Sequence, residues 1–225
     1  MAIAAIAWVA VVWQTATAGE MGMRASSLES FAVTWVAMMA AMMLPSATPF
    51  VIAFARGLEG SQAWPAGVGV VLAVYVFVWA SIGVGLFAIA NAVAVPLPRD
   101  LAAGLAIAFA GLYALTPLKR AGQARCLEMC RQLTLPAGGA VRAAVVAASA
   151  YGLSCVACSA GVMVALFAVG MSDMRVMVVA AALVFLFKLA TPWARRVELV
   201  VAVMLVLAGG WYVLGQASAQ LARTA

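Results

Sequence analysis

The side chains in this sequence that can do chemistry are mostly sulfur-bearing. In "WVAMMAAMMLPSATP" (Trp35–Pro49), four methionines fall within six residues, just ahead of Pro45. "YGLSCVACSAGVM" carries Cys155 and Cys158, and "RCLEMCR" carries Cys126 and Cys130. Thioether and thiolate are soft donors, suited to monovalent copper. The chain has 13 Met and 4 Cys but no histidine, the residue on which zinc chemistry usually draws. Hard cations need oxygen ligands. All seven acids (Glu20, Glu29, Glu59, Asp100, Glu128, Asp173 and Glu198) fall in expected loops or at helix ends. No nucleotide-binding loop, hydrolytic triad or haem-type His pair occurs, so no enzymatic activity is expected.

Spacing sharpens the sulfur pattern. On a helix of ~100° per residue, Trp35, Met38, Met39, Met42 and Met43 share an arc of about 140°. Pro45 frees the carbonyl of Ala41 and Pro49 that of Pro45, with Ser46 and Thr48 close by. Cys155 and Cys158 are three residues apart and share a face with Tyr151 and Val162, with Ser159 and Met163 on its flank. As a helix, the third group puts Gly122, Cys126, Met129, Cys130 and Leu133 on one stripe and Arg120, Arg125, Glu128 and Arg131 on the other. Methionine is also a flexible gap-filler and buried cysteine a small hydrophobe, so packing is the alternative reading of each group.

These residues are positioned by apolar helices. Of 225 residues, 68% are hydrophobic and 9% charged, where a soluble domain carries roughly a quarter charged. The expected fold is all-α, a polytopic membrane helix bundle forming one domain over 1–225. Seven apolar segments run about 2–18, 31–55, 64–92, 101–117, 141–170, 174–190 and 197–216. The count falls to six if the first, ending in "TATAGE", is removed as a signal peptide. An amphipathic surface helix is expected near 119–133, its basic face suited to anionic lipid.

Basic residues set the orientation. With the N-terminus inside, nine (Arg56, Lys119, Arg120, Arg125, Arg131, Arg142, Lys188, Arg195 and Arg196) face the cytoplasm, against Arg24, Arg99, Arg175 and Arg223 outside. A bacterial inner membrane is the simplest location, with the C-terminus outside. The net charge of +6 thus marks a membrane face rather than a nucleic-acid partner. At ~1.5 Å per residue, Met42 and Met43 lie about 17–20 Å below the outer surface and Cys155 and Cys158 about 18–23 Å below it. The two groups then match in depth. Met21, Met23, Met171, Met174 and Met177 mark the outer side, and Cys126 and Cys130 the inner.

The pieces "MMAAMMLPSATP", "LYALTPLKRAGQARCLEMCR" and "YGLSCVACSAGVMVALFAVGMSDM" together resemble a family of predicted metal-binding integral membrane proteins. The resemblance covers most of residues 35–177 and implies a multi-helix bundle binding metal, copper above all, through Met and Cys. The chain departs from that pattern in three places. Ser159 and Ala160 stand where a further Cys and a Trp often follow the C-x-x-C, Phe187 and Lys188 replace a Glu-Lys pair, and Ser172 and Asp173 replace an Asn.

The leading expectation is a copper(I)-handling membrane protein that imports the ion or delivers it to a cuproenzyme. Met38, Met42, Cys155 and Cys158 would form the central site, Met39 and Met43 would serve as alternates, and Cys126 and Cys130 would be the cytoplasmic acceptor. Its partners would be membrane lipid and a copper chaperone or cuproenzyme complex. A structural subunit braced by small residues and a membrane thiol–disulfide carrier are the alternatives.

Overall fold

The computed structural model describes residues 27–92, 98–135, 139–169, 174–188 and 192–224. The segment expected at 2–18, together with Met21, Met23 and Met171, lies outside them. The described residues form seven α-helices and no strand: α1 (Leu28–Gly57), α2 (Trp64–Ala92), α3 (Arg99–Ala114), α4 (Pro117–Arg131), α5 (Ala140–Val169), α6 (Met174–Lys188) and α7 (Pro192–Thr224).

Four of these, α1, α2, α5 and α7, are long and apolar enough to cross a bilayer. The expectation of six or seven spans is not met within the described residues. α3 is too short to count by itself and passes only jointly with α4, across a 62° bend, which raises the number to at most five. α6 contributes a shorter apolar stretch, Met177–Leu186. Large apolar side chains cover the outside of the bundle, among them Phe77 on α2 and Leu207, Trp211 and Leu214 on α7. Such an exterior is suited to hydrocarbon and not to water.

The bend has a local cause. Pro117 has no N–H to donate and its ring would crowd the Tyr113 carbonyl, which favours a kink or break, and here α3 ends at Ala114. The Tyr113 carbonyl instead accepts from the Thr116 N–H at 3.0 Å and the Thr116 hydroxyl at 2.7 Å. Thr116 then caps α4, its Oγ1 accepting from the Lys119 N–H at 3.3 Å, with Pro117 in the first turn. Through its hydroxyl, Tyr113 donates to the Ala157 carbonyl at 2.6 Å and so ties the bend to α5.

α4 is therefore not a helix lying free on the membrane surface. Its charged side is exposed as expected, at Arg120, Arg125, Glu128 and Arg131, but its apolar stripe is covered by α5. Gly122 permits the approach: a Cβ there would come within 3.0 Å of the Cys158 nitrogen and the Ser154 carbonyl.

Close backbone contact also joins α3 to α7. A Cβ on Gly111 would fall 2.6 Å from the Ala202 carbonyl, and one on Gly209 2.5 Å from the Ala108 nitrogen. In lipid, helix association depends on this kind of approach between small residues. Gly111→Val should therefore force α3 and α7 apart and cost about 1–3 kcal/mol, the usual range for overpacking. Gly210→Val, whose Cβ meets nothing within 4 Å, should leave thermal unfolding in detergent unchanged. Equal melting points for the two variants would contradict this packing.

Candidate metal centre

α1 begins at the Ser27 cap, whose side chain accepts from the Ser30 N–H, and runs unbroken through Pro45 and Pro49. Ser46 donates to the Met43 carbonyl at 2.8 Å and Thr48 to the Leu44 carbonyl at 3.1 Å, so both hydroxyls serve the backbone around the prolines. The methionine stripe faces inward: Met38, Met39, Met42 and Met43 are each at most 3% exposed. Trp35 fixes its N-terminal end. The Trp35 indole N–H donates to the Trp79 carbonyl at 2.8 Å, and its ring occupies the space left by Gly83 on α2.

Two contacts set the level of α1 against α5. At one end Phe50 stacks on Tyr151 with ring centroids 4.1 Å apart, and the Tyr151 hydroxyl donates to the Ser46 carbonyl at 3.4 Å. At the other end Trp35 meets Phe167 edge-on at 6.4 Å. The four methionines lie between these anchors on α1, and Cys155, Cys158 and Met163 lie between them on α5. The matched depths expected from the sequence are thus present as matched levels along the two helices.

α2 fills the space beside them. The Tyr75 hydroxyl and the Cys155 sulfur lie 3.2 Å apart. Tyr75 also lines a gap of about 10 Å³ together with Met39 and Trp79. One tyrosine therefore touches the Cys155 thiol and borders the methionine stripe.

The cysteines are arranged differently from the expected division into a central pair and a separate cytoplasmic pair. Cys126 is buried in the same core as Cys155, with Cys158 packed against it, and its thiol interacts with both. The bend at Pro117 and the missing Cβ of Gly122 place it there, joining the proposed acceptor to the central site. Cys130 lies further along α4, near Tyr151. None of the four cysteines is in a disulfide. Cys155 and Cys126 are buried, and Cys158 and Cys130 are partly buried. Cys158 donates to the Cys155 carbonyl at 3.2 Å. Ser159, at the position where the family resemblance would place another thiol, donates to the same carbonyl at 2.7 Å.

Sequence reasoning overlooked two charged residues. Lys119, from the first turn of α4, and Glu198, from the second turn of α7, are both buried and form an ion pair. Both had been placed at solvated ends. Their burial follows from the α3–α4 bend, which carries Lys119 inward, and "TP" at 116–117 was the only local signal for it. Met177, expected toward the outer side, is buried in the core shared with the methionine stripe.

The donors fit a soft monovalent ion better than a hard or nitrogen-seeking one. Among the described residues, no three His, Cys, Asp or Glu side chains form a group able to hold a metal. Any ligand set here would draw on at most two of these thiols, with the methionine thioethers as the other soft donors in the core. Two or three soft sulfur donors match copper(I).

Contact between Cys126 and the α5 thiols can be tested chemically. A chain retaining only Cys126 and Cys158 should hold phenylarsine oxide, which bridges neighbouring thiols, through a monothiol wash. A chain retaining only Cys158 should release it. Equal release from both would contradict the packing of α4 on α5.

No match was found among curated proteins or solved structures. One family does match, over residues 32–212, and is described as "PpoB2: Copper chaperone". That is a copper family, though not the family of predicted metal-binding integral membrane proteins that the motifs resemble. The match runs from the second turn of α1 into α7 and includes each of the eight sulfur residues singled out above. The chain therefore belongs to the PpoB2 copper chaperone family.

Proposed function

We propose that this protein is a membrane-embedded copper(I) carrier, which takes the ion onto buried thioethers and thiols and passes it to a cuproenzyme or another copper-handling protein. The observation that carries this reading is the burial in one core of Met38, Met39, Met42 and Met43 from α1 with Cys126 from α4 and Cys155 from α5, Cys158 and Cys130 packing against it. Membership of a copper chaperone family supports the choice of ion. The location that best suits this role is a bacterial inner membrane, with the N-terminus inside as the basic residues suggest. No catalytic step belongs to this reading.

The physical requirement is desolvation. A bare ion in an apolar interior is very costly, so sulfur must replace its water and thiolate must offset its charge. Thioethers bind without losing a proton, which suits the methionines to receiving the ion. Thiols bind more tightly but must each release a proton, which suits the cysteines to retaining it. Transfer then proceeds by exchange of one sulfur ligand for the next, with no oxidation or reduction.

Anaerobic purification followed by copper counting tests the proposal. The native protein should retain copper(I) against a competing chelator. Cys155→Ser with Cys158→Ser should reduce affinity by more than the ~10–100-fold typical of losing a mere supporting group. Met38→Leu with Met42→Leu, which nearly preserves volume, should keep the fold and weaken binding to a smaller degree. Copper retained equally by the native protein and both variants would reject this centre.

A further inference from the structure

A second feature adjoins the thiols. A cavity of about 30 Å³ opens between α3, α4, α5 and α7, enough to hold at least one water molecule. Much of its wall is apolar, but Tyr113, Lys119, Gln123, Cys158, Ser159 and Glu198 border it. Neither Cys126 nor Cys155 lines it, so Cys158 is the thiol of this centre that faces the ion pair. Lys119 donates to the Gln123 side-chain oxygen at 3.2 Å and pairs with Glu198. Its ammonium also interacts electrostatically with Cys158.

Buried charges need a reason. An ion pair away from water is often no more stabilising than apolar residues of the same volume, because both ions lose their hydration. Helix packing alone does not call for one here, since the glycines of α3 and α7 already bring those helices together. The charge balance of a loaded thiol centre does call for a buried cation. Two thiols taking up a monovalent cation release two protons to solvent, and the bis(thiolate) complex that remains carries one negative charge. Left uncompensated, that charge would be costly in this interior.

We infer that Lys119 is the counter-charge of the thiol centre, its ammonium stabilising the anionic metal–thiolate complex at Cys158 across the shared cavity, with Glu198 competing for it. The inference rests on the proposed copper-binding function and assigns a specificity-determining residue to that site. The first turn of α4 adds a field of the same sign, because the positive end of a helix dipole lies at its N-terminus. Anionic complexes of monovalent soft ions are favoured by this arrangement. A divalent ion on the same two thiolates would be neutral and gain nothing from it.

Opposite signs distinguish a counter-charge from a structural latch. In the full-length protein, silver(I) serves as a redox-inert probe and its affinity is measured by competition with a chelator. Glu198→Gln frees the ammonium and should raise affinity about threefold or more. Lys119→Met should lower it about tenfold or more. If Lys119→Met fails to fold because Glu198 is left unpaired, the double variant Lys119→Met with Glu198→Gln replaces it. Compared with Glu198→Gln alone, the double variant should again lose about tenfold or more.

Affinity that falls in both single variants, or that does not differ between Glu198→Gln and the double variant, would overturn the inference while leaving the copper site intact. Absence of silver binding by the native protein would overturn both.

Discussion

The break between α3 and α4 is the constraint on which the rest of this structure depends. Pro117 stops α3, Thr116 caps α4, and Tyr113 pins the corner to the Ala157 carbonyl on α5. With the corner fixed, Gly122 lets α4 lie against α5 and brings Cys126 into the core that holds Cys155, with Cys158 packed against it. The same corner carries Lys119 to Glu198. A single proline thus gathers thiols from two helices and a buried cation around one point. Broken helices within membrane proteins commonly recur at binding sites, because a helix end supplies polar groups that an unbroken helix withholds.

Around that corner the structure divides its chemistry by helix. α1 supplies thioethers, which are neutral in any protonation state. α4 and α5 supply thiols, which must lose protons to bind tightly, and α2 supplies Tyr75, in contact with Cys155. The division suits a site that must both accept a cation and release it. A wholly thiolate cage would retain the ion too firmly, and a wholly thioether one would do little to offset its charge. The aromatic residues at either end of the stripe, Trp35 with Phe167 and Phe50 with Tyr151, hold α1 at the level of the thiols.

Much of this was legible from residue types and periods. The four methionines repeat on one helical face, and that face is the buried one. Cys155 and Cys158 sit near the middle of a long apolar run, and they do lie level with the stripe. The stripe Gly122–Cys126–Met129–Cys130 was also read as the apolar side of its helix. What covers that stripe was not legible, because an amphipathic pattern is satisfied equally by lipid and by a neighbouring helix. Contact between distant segments has no local signature, so the union of Cys126 with Cys155 and Cys158 was missed. The Lys119–Glu198 pair was missed for the same reason, its members being 79 residues apart in sequence. The expected number of spans is not met within the described residues, because apolar length alone does not reveal that "LYALTP" ends a helix partway.

The central claim is that thiols and thioethers from α1, α4 and α5 form one soft-metal site. X-ray absorption at the copper edge, on protein loaded anaerobically with one equivalent of copper(I), tests it most directly. The account predicts a first coordination shell made only of sulfur, with two or three neighbours, whose sulfur count falls when Cys155 and Cys158 are replaced by serine. A shell containing nitrogen or oxygen in the native protein, or one left unchanged by those replacements, would contradict it.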